Sequence, residues 1–174
     1  MPRCPAVLVV CVTVGLLCSC RRDQASETLV VHKEQPAAGL SSVVQVAEPG
    51  ATGQLLKGWH PVEQGSWRWT ERQFSVALKS PGGSQPATLE LKFVLPEALL
   101  ARLKTVTLSA SVNGAPLTPE TYGRSGEHFY QRHVPVTALK AEIARVDFKL
   151  DRALPPADAD RRELGLVVAS VRLE

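Results

Sequence analysis

The chain has 174 residues, which suits one domain of ordinary size behind a short tail. Hydrophobic residues make up 44% and charged residues 21%, so a packed core is within reach and wholesale disorder is excluded. The 20 basic and 17 acidic residues leave a formal charge of +3, too even a balance to point to nucleic acid.

Residues 1–20 differ in character from the rest. Arg3 supplies a short basic start, and Val7 to Leu17 is an apolar run interrupted by Thr13 and Gly15. The run falls short of the roughly 20 residues that a spanning helix needs, and it fits the apolar region of a secretory signal. All four cysteines, Cys4, Cys11, Cys18 and Cys20, lie here. With none in residues 21–174, the exported part has no disulfide to draw on and must be held by packing.

The run ends Leu17-Cys18-Ser19-Cys20. This resembles a bacterial lipobox, with Leu three positions before the modified Cys and a small residue immediately before it. The resemblance implies a signal peptide over residues 1–19, cleavage before Cys20, a diacylglycerol thioether on Cys20 and an acylated new N-terminus, palmitate being a typical chain. Several acyl chains at roughly 0.8 kcal/mol per buried methylene anchor stably where one does not. A plain signal peptide or a retained anchor is the alternative. Arg21 stands where some enteric bacteria read an Asp as an inner-membrane retention signal. The expected location is therefore the bacterial cell envelope, periplasmic or at the cell surface, with a lean toward the outer membrane.

Residues 20–41 are read as the lipidated Cys and a flexible tether. Leu29-Val30-Val31 and Val43-Val44-Gln45-Val46 can each add a short strand, with a loop-like Gln35-Pro36-Ala37-Ala38-Gly39 between them. From Ser42 to Glu174 the pattern turns to period two. Residues 72–79 place Phe74, Val76 and Leu78 on one face. Residues 88–95 place Leu89, Leu91, Phe93 and Leu95 inward and Thr88, Glu90 and Lys92 outward. Residues 105–112 set Val106, Leu108, Ala110 and Val112 against Thr105, Thr107, Ser109 and Ser111. Residues 144–150 set Ala144, Val146, Phe148 and Leu150 against Arg145, Asp147 and Lys149. Residues 164–173 form the last strand, apolar on both faces at its start.

The punctuation agrees. Pro81-Gly82-Gly83-Ser84 separates two strands, and Asn113-Gly114 is a strong tight-turn signal. Pro96 to Leu103 is the best helix, with Pro at its first turn, and residues 138–144 allow a second short one. The pattern predicts an all-β fold, an antiparallel two-sheet β-sandwich of jelly-roll-like, galactose-binding-like kind, over residues 42–174.

The sequence points away from an enzyme. Residues 21–174 offer no Cys nucleophile. His128 and His133 are five apart, so on a strand they point to opposite faces, and neither belongs to a zinc spacing. His60 and Glu63 can meet across a turn, but two groups make neither a triad nor a metal site. The acids Glu63, Glu71, Glu120 and Glu127 are not paired by any spacing that glycoside hydrolysis would need. Asp158, Asp160 and Glu163 near a loop end lack an EF-hand pattern. No cofactor and no metal are expected.

The tryptophans are the most informative residues: Trp59, Trp67 and Trp69 fall within eleven positions. If residues 66–70 are extended, Trp67 and Trp69 share one face and Arg68 and Thr70 the other. Two indoles on one face serve as core, as a flat platform for a sugar ring, or as a protein-interface patch. At least one of the pair is expected in the core. Trp59, turn-like beside Pro61, is the first candidate for a ligand contact, with Glu63 and Arg68 as hydrogen-bonding neighbours.

The order Gly58-Trp59…Glu63…Trp67-Arg68-Trp69-Thr70, Val112-Asn113-Gly114 and Arg162-Glu163-Leu164-Gly165-Leu166 resembles a small β-sandwich domain. That domain accompanies bacterial cell-surface polysaccharide glycosyltransferases and related envelope proteins, and the resemblance spans residues 55–174. It implies a non-enzymatic envelope module that binds glycan or assists surface-polysaccharide assembly. The alternative is a structural or protein-interaction lipoprotein without a glycan ligand. The implied partners are the membrane, through lipid on Cys20, and a glycan or an envelope protein.

Overall fold

The structure, a computed structural model, describes residues 39–82 and 85–174. The signal sequence, Cys20, residues 29–31 and the proposed tether as far as residue 38 lie outside the described residues. Among the described residues, nine strands and one α-helix follow in order: β1 Val43–Gln45, β2 Leu55–Glu63, β3 Trp67–Lys79, β4 Ala87–Leu95, α1 Glu97–Leu103, β5 Val106–Val112, β6 Ala115–Tyr122, β7 Gly126–Val134, β8 Ile143–Leu150 and β9 Val167–Leu173. All strand pairs among the described residues are antiparallel.

The hydrogen-bonded order is β6-β5-β8-β3-β9-β4-β7, with β1 on β9 and β2 on β3. The sheet folds over at β3. Its first residues, Arg68 and Trp69, pair with Val168 and Val167 of β9. Its second half, Gln73 to Lys79, pairs with β8. One long strand therefore belongs to both layers, and the layers enclose a single core. Phe74, Val76, Leu78, Leu89, Leu91, Phe93, Val106, Leu108, Val146 and Phe148 are all buried there, as alternation predicts. Phe74 and Phe148 stack at 4.8 Å between ring centres. Each such side chain contributes roughly 1.5–3 kcal/mol by leaving water, which is how a domain without disulfides holds together.

The ends of the path, β6 and β7, share no strand ladder, and side chains bridge them. Tyr130 Oη and Arg132 Nε both donate to the Thr118 carbonyl at 2.8 Å. The Arg132 guanidinium lies 4.5 Å over the Tyr130 ring and pairs with Glu120. At the start of the domain, buried Gln54 clasps the entering chain. Its amide donates to the carbonyls of Ser41 and Ala77, and its oxygen accepts from the Ser41 N–H.

Several elements depart from the sequence expectation. Trp59, read as lying in a turn-like segment beside Pro61, sits within β2. That strand has an irregular register, shifting between Leu55, Lys57, Trp59 and Val62. β6 carries Pro116 and Pro119, which an edge strand tolerates because a missing N–H there breaks no ladder. The final strand starts at Val167 rather than Leu164, because residues 165 and 166 bond to Thr70 instead. The second short helix is a 3-10 turn, Val136–Leu139. Glu90 lies in the outward phase as expected, yet it is buried: Arg172 and Gln131, its cross-strand partners, cover it and hydrogen-bond its carboxylate.

Candidate functional site

The corner in β3 frees backbone groups that need partners, and the loop before β9 supplies them. The Thr70 N–H donates to Leu166, and the Thr70 carbonyl accepts from Gly165 at 2.7 Å. The Thr70 hydroxyl accepts from the Leu166 N–H, and Glu163 accepts from the Arg72 N–H. A Cβ on Gly165 would lie 2.8 Å from the Glu71 carbonyl, so only glycine allows this approach. Residues 58–63, 67–70 and 162–166 thus meet in one place. The loop straps down the end of β2 and β3.

On the outer side of that corner lies an open groove of about 340 Å³, lined by Glu63, Trp67, Trp69, Val94, Pro96 and Val167. Register explains it. Trp69 sits opposite Val167, and Val167 sits opposite Val94. Directly opposed residues share a face. Their chain neighbours Phe93 and Val168 are fully buried, so this row lies on the face away from the core. Trp67 precedes by two on the same face, opposite Glu63. Val94 is 36% exposed, and Phe129, a strand away, is 45% exposed. Lys92, opposite Phe129, pairs with Glu127 at 2.8 Å.

The polar flank of the groove is a triad. Arg162 Nη1 donates to Glu63 Oε1 at 2.6 Å. Its Nε and Nη2 donate to the two oxygens of Asp160 at 3.0 and 2.8 Å. These hydrogen bonds hold the Asp160 carboxyl down at about 2, and they raise Arg162 further above its already high value.

The three residues singled out from sequence divide between faces. Glu63 is in the groove. Trp59 lies opposite Thr70 and Val62 opposite Arg68, so Trp59 and Arg68 take the other face of the β2–β3 pair. The Trp59 indole meets the Phe74 ring edge-on at 5.1 Å and donates to the Ser75 carbonyl at 2.8 Å. Arg68 donates to the carbonyls of Val46 and His60. Trp67 and Trp69 share a face, as alternation predicts. One of the pair was expected in the core, but neither is a core residue: Trp69 is half-buried and touches the core only from outside it, and Trp67 is half-buried in the groove.

Val94, Val167, Pro96 and Arg162 were not named as site residues. A signal for Val94 was present: it stands in the outward phase after Thr88, Glu90 and Lys92, an apolar residue where water was expected. Of the histidines, His60 Nε2 lies 2.7 Å from the Glu163 carbonyl and must donate to it, and His128 Nε2 likewise meets the Arg124 carbonyl. Asp158, Asp160 and Glu163 bond to Arg161, Arg162 and Arg72, respectively. No group of three potential metal ligands occurs among the described residues.

No protein-family model matches the chain, and no curated protein matches it. Among solved structures it is similar to a family 35 carbohydrate-binding module from an environmental isolate, at 13% identity and TM-score 0.42, over 80% of this chain and 89% of that one. It is similar to the CBM35 from Paenibacillus barcinonensis at 12% identity and TM-score 0.35, over 78% and 90%. A GH115 4-O-methyl-α-glucuronidase with specificity for decorated arabinogalactans matches at 14% identity and TM-score 0.41, over 62% of this chain. This chain spans only 14% of that enzyme's length.

Proposed function

We propose that the protein is a non-enzymatic, lipid-anchored module of the bacterial cell envelope that binds glycan in the groove on β3, β9 and β4. The observation that carries this reading is the outward row Trp67, Trp69, Val167 and Val94. Indoles and aliphatic groups on a sheet face offer a flat apolar surface to the C–H face of a pyranose, and a neighbouring carboxylate accepts from its hydroxyls. The lipobox-like Leu17-Cys18-Ser19-Cys20 supports the anchor, and the resemblance to envelope-polysaccharide domains supports the setting, with the outer membrane or cell surface favoured by Arg21.

The test is a glycan array probed with the purified protein, alongside Trp67→Ala. Wild-type binding that disappears in a variant with unchanged melting supports the reading. A stable variant and a wild type that binds no glycan would instead make the patch a protein-interaction surface.

A further inference from the structure

We infer that the groove selects glycans bearing a free amino group and rejects uronic acids, with Glu63 as the specificity-determining residue. The inference rests on the glycan reading above and names the chemistry of the ligand. Among the described residues, Glu63 is the one ionisable side chain that lines the groove, and the other lining residues are apolar. Its carboxylate is about one-third exposed. Oε1 accepts from Arg162, which leaves lone pairs on Oε2 for a donor in the groove.

Arg162 is not among the residues that line the groove, and three of its five N–H groups are already bonded to carboxylates. Nε and Nη2 are held by Asp160 and Nη1 by Glu63. One guanidinium shared by two carboxylates leaves the triad with one net negative charge. On the far side of Val94, Lys92 and Glu127 neutralise each other. Indole faces add to the same preference, since their quadrupole attracts ammonium and repels carboxylate. The chain as a whole carries a small positive charge, +3, which gives amines no non-specific advantage. A preference for amines therefore runs against the global field and reports the groove.

The experiment titrates the protein with three probes: a glucosamine oligomer, the same oligomer fully N-acetylated, and an oligogalacturonate of equal length. A charge-assisted hydrogen bond in a partly exposed site predicts about tenfold tighter binding of the amine than of its acetylated form. The gap should narrow as salt is raised, and the uronate should show no saturable binding. Glu63→Gln, which keeps a partner for Arg162, should remove most of the gap by weakening the amine far more than the acetylated ligand. Asp160→Asn, outside the groove, should shrink the gap in the same direction. Uronate binding as tight as the amine, or a gap that survives both variants, overturns the inference and leaves the glycan reading standing. So does a neutral glycan on the array with no response to the amine. An empty array ends both.

Discussion

Glu63 and Arg162 are 99 positions apart in the chain and 2.6 Å apart in the fold. The bond ties the end of β2 to the loop before β9. It also fixes the carboxylate beside Trp67, its cross-strand neighbour. One contact thus closes the strap over the β3 corner and sets the polar edge of the groove.

The two groove tryptophans should separate stability from binding. Trp69 packs partly on the core, so Trp69→Ala should cost about 1–3 kcal/mol, less than the cost at a fully buried Trp. Trp67→Ala should cost under about 1 kcal/mol and abolish glycan retention. Thermal melts of both variants check the first claim, and affinity electrophoresis in glycan-containing gels checks the second. Equal destabilisation by both would contradict the outward placement of Trp67.

Gly58 has φ +73°, and a Cβ there would lie 2.0 Å from the Gln73 carbonyl. Gly58→Ala should therefore destabilise by about 2–4 kcal/mol, since backbone must move and the residue is strained in any case. Gly53, where an added Cβ meets nothing within 4 Å, is the control. Gly53→Ala should stay within about 0.5 kcal/mol of wild type. Urea denaturation of the pair decides it.

Asp160 is held at about 2 by hydrogen bonds from Arg162, below the ordinary 3.8. A depressed carboxyl binds protons more weakly folded than unfolded. Its contribution is therefore complete above about 3.8 and fades as pH falls toward 2. Carboxyl resonances followed by NMR should show Asp160 titrating below the other aspartates. Arg162→Gln should return it toward the ordinary value; an unchanged titration in that variant would refute the assignment.

Tyr130 is fully buried and its hydroxyl donates to Thr118. Tyr130→Phe should cost about 1 kcal/mol, at the modest end because Arg132 still donates to the same carbonyl. Hydrogen exchange should accelerate in β6 first. Acceleration spread evenly over β3 and β8 would argue against a local seam.

The anchor has its own test. Cys20→Ser should leave the protein without lipid and move it from the detergent phase to the aqueous phase on partitioning. Unchanged partitioning would end the lipoprotein proposal.

Strands with one apolar and one polar face were legible because burial on a sheet alternates strictly. β4, β5 and the second half of β3 appear with their inward residues as read. β2 was hidden because Gly58 and Pro61 serve its irregular pairing, which no two-residue period reveals. The groove was half legible. Trp67 and Trp69 were seen to share a face, but which face that is depends on β3 passing from one layer to the other. That passage is set by the Thr70 bonds to residues 165 and 166, nearly a hundred positions away. The pairing of Glu63 with Arg162 is equally invisible to local spacing, since either acid or base has many partners of opposite sign in the chain.

The Gln54 clasp at Ser41 has a mechanical meaning. A pull on the chain before residue 39 loads Ser41 and the three-residue β1 ahead of anything else. β1 is held by its short ladder on β9 and by the backbone bonds that Ser41 and Ser42 make to Lys79 and Leu173. The side-chain amide of Gln54 grips the same point from the other layer. Under tension β1 would peel away from β9 while the remaining strands kept their pairing. The β3 corner and its groove lie on strands that would keep their pairing, so loss of β1 would leave the groove's geometry in place.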